Sequence, residues 1–431
     1  MRPYAVIGAG PMGLCTVRRL AGLGLPVVGF ETHNDVGGLW AIDSPTSTMY
    51  DSAHLISSKR MTEFSDFPMR DEVAIYPRHD EVNQYLCDYA EHFDLYRHYR
   101  FNTRVERVEP SGDGWRVDYC RNGRPETLEC AGVLLANGTL HQPRRAEFDG
   151  DFHGERLHSA DYRNADLFAG KRVLIVGCGN SACDIAVDAV HRATSVDMVV
   201  RRGYYFLPKF VAGVPTDTLG GKIRLPNRLK QWVDGGLVRL ISGKPSQFGL
   251  PDPDYRMYES HPVVNSLFLH HIGHGDIRVR PAIDRLTATG ALFNDDSVGT
   301  YDLILEATGY ELSYPFIDAQ HLNWQGDAPS LYLNMFTPHF DNLFVMGMVE
   351  ASGLGWQGRD DQAQLVARFI LAREEVAPSA KRFMDRVRRH CDRRVDGGMD
   401  YLKLARMAYY VHKADYLKAL RRASDSLGWV N

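Results

Sequence analysis

The sequence predicts an α/β fold with two Rossmann-like dinucleotide-binding domains in one chain. Two observations lead to this class: a short apolar run followed by a glycine-rich turn opens the chain, and the same pattern recurs at Gly177. In a Rossmann unit such a turn lies between a buried strand and a helix, where it binds a pyrophosphate. A chain with two such turns can pass electrons between two bound nucleotides.

The first turn follows the apolar run Tyr4–Ile7, which predicts a buried strand, and precedes a helix expected from Leu14 to Leu20. Because glycine has no side chain, Gly10 lets a pyrophosphate approach the backbone closely. The helix adds free N–H groups and the positive end of its dipole. The residues predicted to form this first phosphate site are Gly8, Ala9, Gly10, Pro11, Met12 and Gly13.

An acidic residue ends the next predicted strand, Val27–Phe30. Glu31 stands 23 residues after Gly8, at the place of the carboxylate that accepts hydrogen bonds from ribose hydroxyls in Rossmann units. The strand, turn, helix, second strand and acid occur in the expected order. The first nucleotide is therefore expected to carry an unphosphorylated adenosine ribose.

The second turn follows the apolar run Val173–Val176. The next predicted strand, Val196–Val200, ends in Arg201 and Arg202, and Arg201 stands 24 residues after Gly177. A guanidinium in the place of the ribose carboxylate makes a charge-assisted contact with a 2′-phosphate. Arg201 suits that place better, with Arg202 as a helper. The residues predicted to form the second phosphate site are Gly177, Gly179, Asn180, Ser181 and Ala182.

Further motifs resemble those of the flavin-containing monooxygenases. They are Gly37-Gly38-Leu39-Trp40, the spaced set Phe152, Gly154, His158 and Tyr162, and Ala307-Thr308-Gly309-Tyr310. The resemblance implies FAD in the first site and NADPH in the second, with the NADPH domain inserted in the FAD domain. The implied domains are a first FAD part at 1–165, an NADPH domain with a loop-rich insertion at 166–302, and a second FAD part with C-terminal helices at 303–431. The implied cofactor contacts are Gly38, Leu39, Trp40, Thr308 and Gln357.

The same resemblance implies an NADPH-dependent flavin monooxygenase. NADPH would reduce the flavin, oxygen would add to it as a peroxyflavin, and one oxygen atom would pass to an amine nitrogen or a sulfur of a small molecule. In that family Tyr rather than Trp at the end of the spaced motif marks this chemistry, so Tyr162 favours it. A Baeyer–Villiger ketone oxygenase and an NADPH oxidase that releases peroxide remain alternatives. A flavin-dependent redox sensor or interaction module is an alternative of another class.

One loop departs from the family pattern. Residues 50–68 resemble the family loop that passes the flavin and the nicotinamide, but Ile56 stands where the family has Asn. The Ile side chain cannot form a hydrogen bond. We therefore expect that Ser57 or Ser58 substitutes, that the chemistry differs, or that peroxide leaks. Ile56, Ser57, Ser58 and Tyr162 are the candidate catalytic residues.

Composition narrows the classes of binding partner and the cellular location. The net charge of −4 gives no electrostatic reason to expect nucleic acid or anionic membranes as partners. No apolar run approaches the roughly 18 to 20 residues that span a bilayer, and the N-terminus does not have the pattern of a signal peptide. Seven scattered cysteines favour reduced thiols and a cytoplasmic location. The expected partners are a small-molecule substrate and oxygen, without a membrane anchor and with room for a homodimer.

The remaining segments are predicted in outline. Residues 203–260 are rich in proline and glycine and are expected to be loops that shape the substrate entrance. The segments near 277–279, 283–288 and 291–293 are expected to form one meander, and those at 379–394 and 400–427 to form helices.

Two side-chain sets are interpreted as structural. His270, His271 and His274 have no cysteine or carboxylate trio nearby in the sequence, so no metal site is predicted. Cys178 lies in the second turn and Cys183 in the helix expected after it, and both are interpreted as small packing residues rather than as a redox pair.

Overall fold

The computed structural model describes residues 1–219 and 226–428 of the chain. Part of the segment predicted to be loop-rich, residues 220–225, lies outside the described residues.

The first unit is built on a five-stranded parallel sheet. Strand Tyr4–Ile7 lies at its centre, between Val27–Phe30 and Gly132–Leu135. Tyr99–Arg100 and Leu343–Val345 form its edges. The central strand is buried along its whole length, as expected for a parallel sheet covered on both faces. Because one edge strand comes from the C-terminal part, the chain leaves this sheet and later returns to it.

A second five-stranded parallel sheet has the same plan. Strand Arg172–Val176 lies at its centre, between Ser195–Val199 and Leu303–Glu306. Ile277–Arg280 and Glu155–His158 form its edges. In the first sheet the edge strand beside Gly132–Leu135 is Leu343–Val345, which is the last strand of that sheet in chain order. In the second sheet the edge strand beside Leu303–Glu306 is Glu155–His158, which is the first strand of that sheet in chain order. The predicted fold class, two Rossmann-like units with the second inserted in the first, is confirmed.

The strand pairing crosses two of the predicted domain boundaries. Glu155–His158 lies before residue 166 and Leu303–Glu306 lies after residue 302, yet both pair within the second sheet. The connections between the units also pair with each other, because Gln142–Pro143 and Tyr310–Glu311 form an antiparallel ribbon. The chain therefore passes between the two units at this ribbon, and the domain bounds 1–165, 166–302 and 303–431 stay a prediction.

Each unit carries a three-stranded antiparallel sheet before its returning strand. The prediction that 277–279 belongs to the second meander is wrong, because Ile277–Arg280 is an edge strand of the parallel sheet. Hydrophobicity alone does not distinguish a parallel edge strand from a meander strand, since both are short and half-buried. The meander strands are Thr103–Ser111, Gly114–Arg121 and Arg124–Cys130 in the first unit, and Ile283–Thr287, Gly290–Phe293 and Val298–Thr300 in the second.

Two outline predictions about helices are corrected. The segment 203–260 contains the helix Asn227–Ser242, which Gly235 and Gly236 in its interior disguised. The tail 400–427 is an α-helix only in Lys413–Asp425. None of the described helices is long and apolar enough to cross a membrane. The α-helices are Pro11–Gly22, Lys59–Thr62, His79–His92, Asn180–Val190, Asn227–Ser242, Phe268–His274, Gln357–Glu374, Pro378–His390 and Lys413–Asp425.

The returning chain completes the core of the first unit, and one loop of the first unit packs into the core of the second. Helix Pro11–Gly22 packs against Gln357–Glu374, so the returning chain completes the core of the first unit. Tyr50 and Ala53 belong to the first unit by sequence but are buried in the core of the second. The loop that carries them therefore packs apolar side chains against the second unit.

Candidate cofactor and active site

The first glycine turn admits no side chain at two positions. Gly8 has a φ of +111°, and a Cβ there would lie 2.5 Å from the carbonyl oxygen of Ala136. A Cβ at Gly13 would lie 1.9 Å from the carbonyl oxygen of Gly8, so the helix starts directly against the strand. Near Gly10 only the Cα of Gly38 comes close, at 3.6 Å from the missing Cβ. The open side of Gly10 is therefore where a phosphate can approach.

The helix Pro11–Gly22 begins after Gly10 without a side-chain cap. Its first backbone N–H groups are thus available to an anion, and Pro11 lacks an N–H at the position where none is needed. Met12 is buried, and its Cγ would lie 3.0 Å from a Cβ at Gly347. The Met12 side chain packs into the core, which leaves the turn's backbone free to bind phosphate.

Glu31 follows strand Val27–Phe30 and is held from two sides. Its carboxylate oxygens accept hydrogen bonds from the backbone N–H groups of Ala9 at 2.7 Å and His33 at 2.8 Å. Burial raises the pKa of the Glu31 carboxyl group, and the backbone donors act in the opposite direction. Because each carboxylate oxygen has a second acceptor site, Glu31 can still accept hydrogen bonds from two ribose hydroxyls.

The loop after Glu31 faces the first phosphate turn. Gly38, Leu39 and Trp40 form one turn of 3-10 helix. Gly38 has a φ of +60°, and a Cβ there would lie 2.9 Å from the Cα of Gly10. The Ser47 hydroxyl donates to the Leu39 carbonyl oxygen at 2.6 Å. The structure therefore brings these predicted residues next to the predicted phosphate turn.

The second glycine turn repeats the geometry of the first. Gly177 has a φ of +120°, and a Cβ there would lie 2.5 Å from the carbonyl oxygen of Ala307. No atom lies within 4 Å of a Cβ at Gly179, and the helix Asn180–Val190 starts after it without a side-chain cap. Ala182 stands in the place of Gly13, so this helix lies far enough from the strand to admit a methyl group.

Side chains around the second turn are engaged in structural contacts. Asn180 accepts a hydrogen bond from the backbone N–H of Val264 at 2.7 Å and donates to the carbonyl oxygen of Pro262 at 3.3 Å. The Sγ atoms of Cys178 and Cys183 lie 3.9 Å apart, and both thiols are buried and free. Asn180 can thus meet a phosphate only through its backbone, and the cysteines pack as the sequence predicted.

Two arginines follow strand Ser195–Val199, and the structure distinguishes them. Arg201 is exposed and makes no ion pair or hydrogen bond with any described residue. Arg202 donates from Nε to the Tyr204 hydroxyl at 3.1 Å, and its guanidinium lies 4.8 Å from the centre of that ring. Arg201 is therefore free to bind a phosphate, whereas Arg202 is held by Tyr204.

Tyr162 is fully buried where the two units meet. Its ring centre lies 5.4 Å from that of Tyr50 and 5.2 Å from that of Phe168. Its hydroxyl donates to Asp188, on the helix of the second turn, at 2.9 Å. Tyr162 therefore has no exposed surface in this structure and contacts residues of both units, and its role in the reaction stays a prediction.

A second contact crosses the same joint. Asp184 accepts hydrogen bonds from the Tyr50 hydroxyl at 3.3 Å and from the Asn265 amide at 2.6 Å. Burial raises the pKa of the Asp184 carboxyl group to about 6, more than Lys209 and these donors lower it. The helix that carries the second turn is therefore fastened to the first unit through a carboxyl group that resists ionisation.

The loop with the candidate catalytic residues lies against the glycine-rich segment before helix Gln357–Glu374. The Trp356 backbone N–H donates to the Thr62 carbonyl oxygen at 2.8 Å. A Cβ at Gly355 would lie 2.2 Å from the carbonyl oxygen of Met61. The structure thus joins two segments that are about 300 residues apart in the sequence.

Within this loop the three candidate residues differ in their partners. Ile56 is half-buried and offers no polar atom in its side chain. The Ser57 hydroxyl is hydrogen-bonded to the Thr62 hydroxyl at 2.7 Å. The Ser58 hydroxyl is buried without a partner among the described residues, while the Ser58 backbone N–H donates to Asp217 at 2.6 Å. Of the three, Ser58 alone has a hydroxyl that is free to bind another group.

Two predicted cofactor contacts already have protein partners. The Gln357 side-chain oxygen accepts from the backbone N–H of Ser65 at 3.0 Å and from its hydroxyl at 2.6 Å, and its amide donates to Asp361 at 2.9 Å. The Thr308 hydroxyl donates to the carbonyl oxygen of Arg144. Both side chains hold loops in place, so their cofactor contacts would have to come from the backbone.

The fold and these two turns match known proteins over the whole chain. Residues 2–429 match the family described as "Flavin-binding monooxygenase-like". The chain belongs to this family. It is 31% identical to flavin-containing monooxygenase 5 of Mus musculus over 88% of this chain and 78% of that protein. It is 29% identical to flavin-containing monooxygenase 5 of Oryctolagus cuniculus, over 98% and 82%.

Solved structures share the fold at lower identity. The S-allyl-L-cysteine S-oxygenase of Allium sativum has a TM-score of 0.67 and 19% identity, covering 100% of this chain and 89% of that one. Cyclohexanone monooxygenase has a TM-score of 0.74 and 19% identity, covering 99% and 97%. With its family membership, the chain is an FAD- and NADPH-dependent flavin monooxygenase. The predicted cofactors are confirmed, and the two turns fit them, because each offers uncapped backbone N–H groups beside an open glycine.

The sequence did not reveal a partly buried polar cluster in this monooxygenase. Arg406 donates to the Glu350 carboxylate at 3.1 Å. The Tyr410 hydroxyl lies 3.2 Å from Nδ1 of His261 and 3.0 Å from the Ser352 hydroxyl. No motif marks these residues, and they come from three distant parts of the chain. The cluster lies beside the glycine-rich segment that meets the Ser57–Ser58 loop.

Burial sets the charges in this cluster. Desolvation lowers the pKa of His261 to about 4, so the imidazole is neutral near pH 7. The Arg406 cation holds the pKa of the Glu350 carboxyl group below its usual value despite burial. The Arg406 side chain keeps 41% of its surface accessible although protein surrounds and desolvates it. The cluster therefore contains one cation, one carboxylate and one neutral imidazole.

Proposed function

We propose that this monooxygenase oxygenates an amine nitrogen or a sulfur atom of a small molecule, with FAD at the first turn and NADPH at the second. One observation supports the placement of the cofactors. Glu31 directly follows the second strand of the first unit, whereas Arg201, one position further along after the corresponding strand of the second unit, has no partner among the described residues. A carboxylate suits free ribose hydroxyls, whereas a guanidinium suits a 2′-phosphate.

The proposed binding residues follow the two turns. FAD would be held by the residues of the first turn, by Glu31 and by the loop that faces them. NADPH would be held by the second turn and by Arg201, with Arg202 kept in place by Tyr204. The proposed FAD residues are Gly8, Ala9, Gly10, Pro11, Met12, Gly13, Glu31, Gly38, Leu39, Trp40, Thr308 and Gln357, and the proposed NADPH residues are Gly177, Gly179, Asn180, Ser181, Ala182, Arg201 and Arg202.

FAD, when bound, supplies the redox chemistry by accepting hydride from NADPH and activating oxygen. The protein binds both nucleotides, orients them and excludes water. The contacts of Tyr50 with Tyr162 and Asp184 set the position of the NADPH unit relative to the FAD unit. The contact of Trp356 with Thr62 keeps the two active-site segments together. This chain thus contributes geometry rather than an acid–base residue.

Ser58 is the proposed polar group of the loop that lacks the family Asn. Its buried hydroxyl has no partner among the described residues, whereas Ser57 is committed to Thr62. A buried hydroxyl without a partner costs about 1–3 kcal/mol, which a bound cofactor or substrate would recover. Ile56 supplies no hydrogen bond at its own position, and for that reason part of the reduced oxygen is expected to escape as peroxide.

Oxygen transfer to an amine nitrogen or a sulfur atom competes with one alternative, an NADPH oxidase that releases peroxide. The polar cluster around Arg406 and His261 lies beside the segment that meets the Ser57–Ser58 loop and offers polar groups to a substrate, which supports transfer of oxygen to a molecule. Ile56 supports an uncoupled NADPH oxidase instead. Transfer to a ketone has no observation in its favour in this chain beyond the shared fold.

We further propose that the protein acts in the cytoplasm on a small molecule and oxygen. All seven cysteines are free in the structure, which suits a reducing compartment. A homodimer stays a prediction.

The decisive experiment mixes purified holoprotein and NADPH, under air, with separate panels of amines, thioethers and ketones. Oxygenated product and released peroxide are quantified against NADPH consumed. Product from amines or thioethers supports the proposal. Product from ketones alone would replace it with a Baeyer–Villiger activity, and peroxide equal to NADPH with every compound would replace it with an oxidase.

A further inference from the structure

One helix outside the cofactor sites exposes an apolar face. The helix Asn227–Ser242 lies in the long excursion between strands Ser195–Val199 and Ile277–Arg280 of the NADPH unit. Six of the fourteen exposed large hydrophobic side chains of the described residues lie on its sixteen residues, so they form a patch rather than a scatter. They are Leu229, Trp232, Val233, Leu237, Leu240 and Ile241.

The helix faces the protein with a narrow and mostly small surface. Gln231, Gly235 and Val238 are its buried residues. Gln231 donates to the carbonyl oxygen of Met257 at 3.1 Å, and a Cβ at Gly235 would lie 3.8 Å from Met257. The helix is thus fixed in place by its inner face. Trp232 and Leu240, 77% and 82% exposed, point away from the protein.

Basic residues border the apolar face. At about 100° per residue, Arg228 and Arg239 lie on one border and Lys230 on the other. The acidic residue of this helix, Asp234, is engaged by the Tyr258 hydroxyl at 2.6 Å and by Lys230. Residues 227–244 contain four basic residues and one acidic residue, for a net charge of +3, in a chain of net charge −4. The local charge is opposite to that of the whole chain.

We propose that this helix docks the protein onto the surface of an anionic phospholipid bilayer. Helices with Trp and Leu on one face and Lys or Arg beside it lie in the plane of a membrane interface. Trp is suited to the headgroup region, and each basic residue gains about 1 kcal/mol at an anionic surface. At sixteen residues the helix is about 24 Å long, and it lies on the membrane rather than crossing it.

Charge decides against a second copy of the chain as the occupant. In a two-fold contact the same patch meets itself, so the Arg228 and Arg239 side chains of both copies would bring like charges into the contact. Asp234 is already paired with Lys230 on the other border and does not neutralise the two arginines. Phosphate headgroups provide the missing negative charge, and acyl chains cover the apolar residues.

The test measures sedimentation of the purified holoprotein with vesicles. Phosphatidylcholine vesicles are compared with vesicles of phosphatidylcholine and phosphatidylglycerol, at low and high salt. Binding should require phosphatidylglycerol and should weaken as salt increases. The double variant Trp232→Ser/Leu240→Ser should bind at least about tenfold more weakly, because it removes two apolar anchors. The double variant Arg228→Gln/Arg239→Gln should lose about 25-fold.

Val298→Ser is the matched control, because Val298 is an exposed apolar residue of the second meander. It should bind vesicles as the unchanged protein does. All variants should oxidise NADPH at the unchanged rate without vesicles, which shows that they are folded. No binding to phosphatidylglycerol vesicles would overturn the proposal. A dimer that Trp232→Ser/Leu240→Ser dissociates, in a protein without vesicle binding, would assign the face to a second copy.

Discussion

The two glycine turns of this chain are alike in backbone and different in what surrounds them. Gly8 and Gly177 have φ values of +111° and +120°, and a Cβ on either would lie 2.5 Å from the carbonyl oxygen at the end of the returning strand. The helix of the first turn is pressed against the strand at Gly13, whereas the second turn has Ala182 at that position. The shared geometry serves the pyrophosphate that both nucleotides contain.

The strand ends after the turns differ in chemistry. Glu31 is buried and receives two backbone hydrogen bonds, while Arg201 is exposed and has no partner among the described residues. A carboxylate held by its own turn is pre-oriented for ribose hydroxyls, whereas a free guanidinium can fold onto a phosphate. On the proposed assignment, the nucleotide choice depends on one side chain per unit, while phosphate binding depends on the backbone.

The largest expected effect comes from a methyl group at the tighter turn. Gly13→Ala would place a Cβ 1.9 Å from the Gly8 carbonyl oxygen, which forces the helix away from the strand. We expect loss of bound FAD, measured by flavin absorbance of the purified protein, and a loss of about 2–3 kcal/mol in the free energy of unfolding.

The reciprocal change at the second turn is the control. Ala182→Gly should keep FAD and cost only about 1 kcal/mol, because it removes one methyl group and adds chain flexibility. Equal damage from both variants would mean that the two turns do not differ in packing as the structure has them.

The next effect concerns the choice of nucleotide. Arg201→Ala should raise the KM for NADPH by about 10- to 100-fold, since a charge-assisted hydrogen bond contributes about 1.5–3 kcal/mol. The KM for NADH and the amount of bound FAD should stay unchanged. Arg202→Ala, which removes a side chain held by Tyr204, should have a much smaller effect. Unchanged preference for NADPH in Arg201→Ala would remove Arg201 from the site.

The joint between the units should respond to pH. The pKa of Asp184 is raised to about 6 in the folded protein, so folding favours its protonated form. This contribution to the free energy of unfolding is complete below about pH 4, where an ordinary carboxyl group is also protonated. It is lost as pH rises through 6, and the loss amounts to up to about 3 kcal/mol. Asp184→Asn should therefore lack that loss of stability, as measured by urea unfolding across this range.

Exposed Asp327 provides the comparison for this measurement. Asp327→Asn should reproduce the pH profile of the unchanged protein. If Asp184→Asn also reproduced it, the carboxyl group at the joint would ionise normally and would not couple the two units to pH.

The smallest expected effect concerns peroxide. Ile56→Asn introduces a side chain with hydrogen-bonding groups into the loop that carries Ser57 and Ser58, and should lower peroxide released per NADPH by about two- to tenfold, which corresponds to one hydrogen bond. Ile56→Leu, which adds no polar group, should leave the ratio unchanged. Equal peroxide from all three proteins would mean that position 56 does not affect coupling.

Local patterns predicted a large part of the fold. Each turn is encoded within about 30 consecutive residues, because strand, glycines, helix and strand-end side chain must follow in order. For that reason Gly8 to Glu31 and Gly177 to Arg201 could be assigned before any contact was known. The weakest predictions were those without a local pattern, such as the membership of Ile277–Arg280 and the boundaries beside Glu155–His158.

Site residues that come from distant segments could not be predicted in the same way. Tyr162 is part of a recognisable motif, but only its burial between Tyr50 and Phe168 shows that it joins the units. Glu350, Arg406 and His261 carry no pattern, since their partners lie far away in the sequence. Periodicity would have indicated the apolar face of helix Asn227–Ser242, but its two central glycines hid the helix.

The sequence by itself predicted two nucleotide sites, indicated which site suits a 2′-phosphate, and showed the resemblance to flavin monooxygenases. These properties depend on consecutive residues and on backbone shape. Tertiary structure decided which arginine is free, which serine hydroxyl lacks a partner, and where Tyr162 and Arg406 lie. Those properties depend on the neighbours that folding brings to each side chain, and a linear pattern of residue types does not contain them.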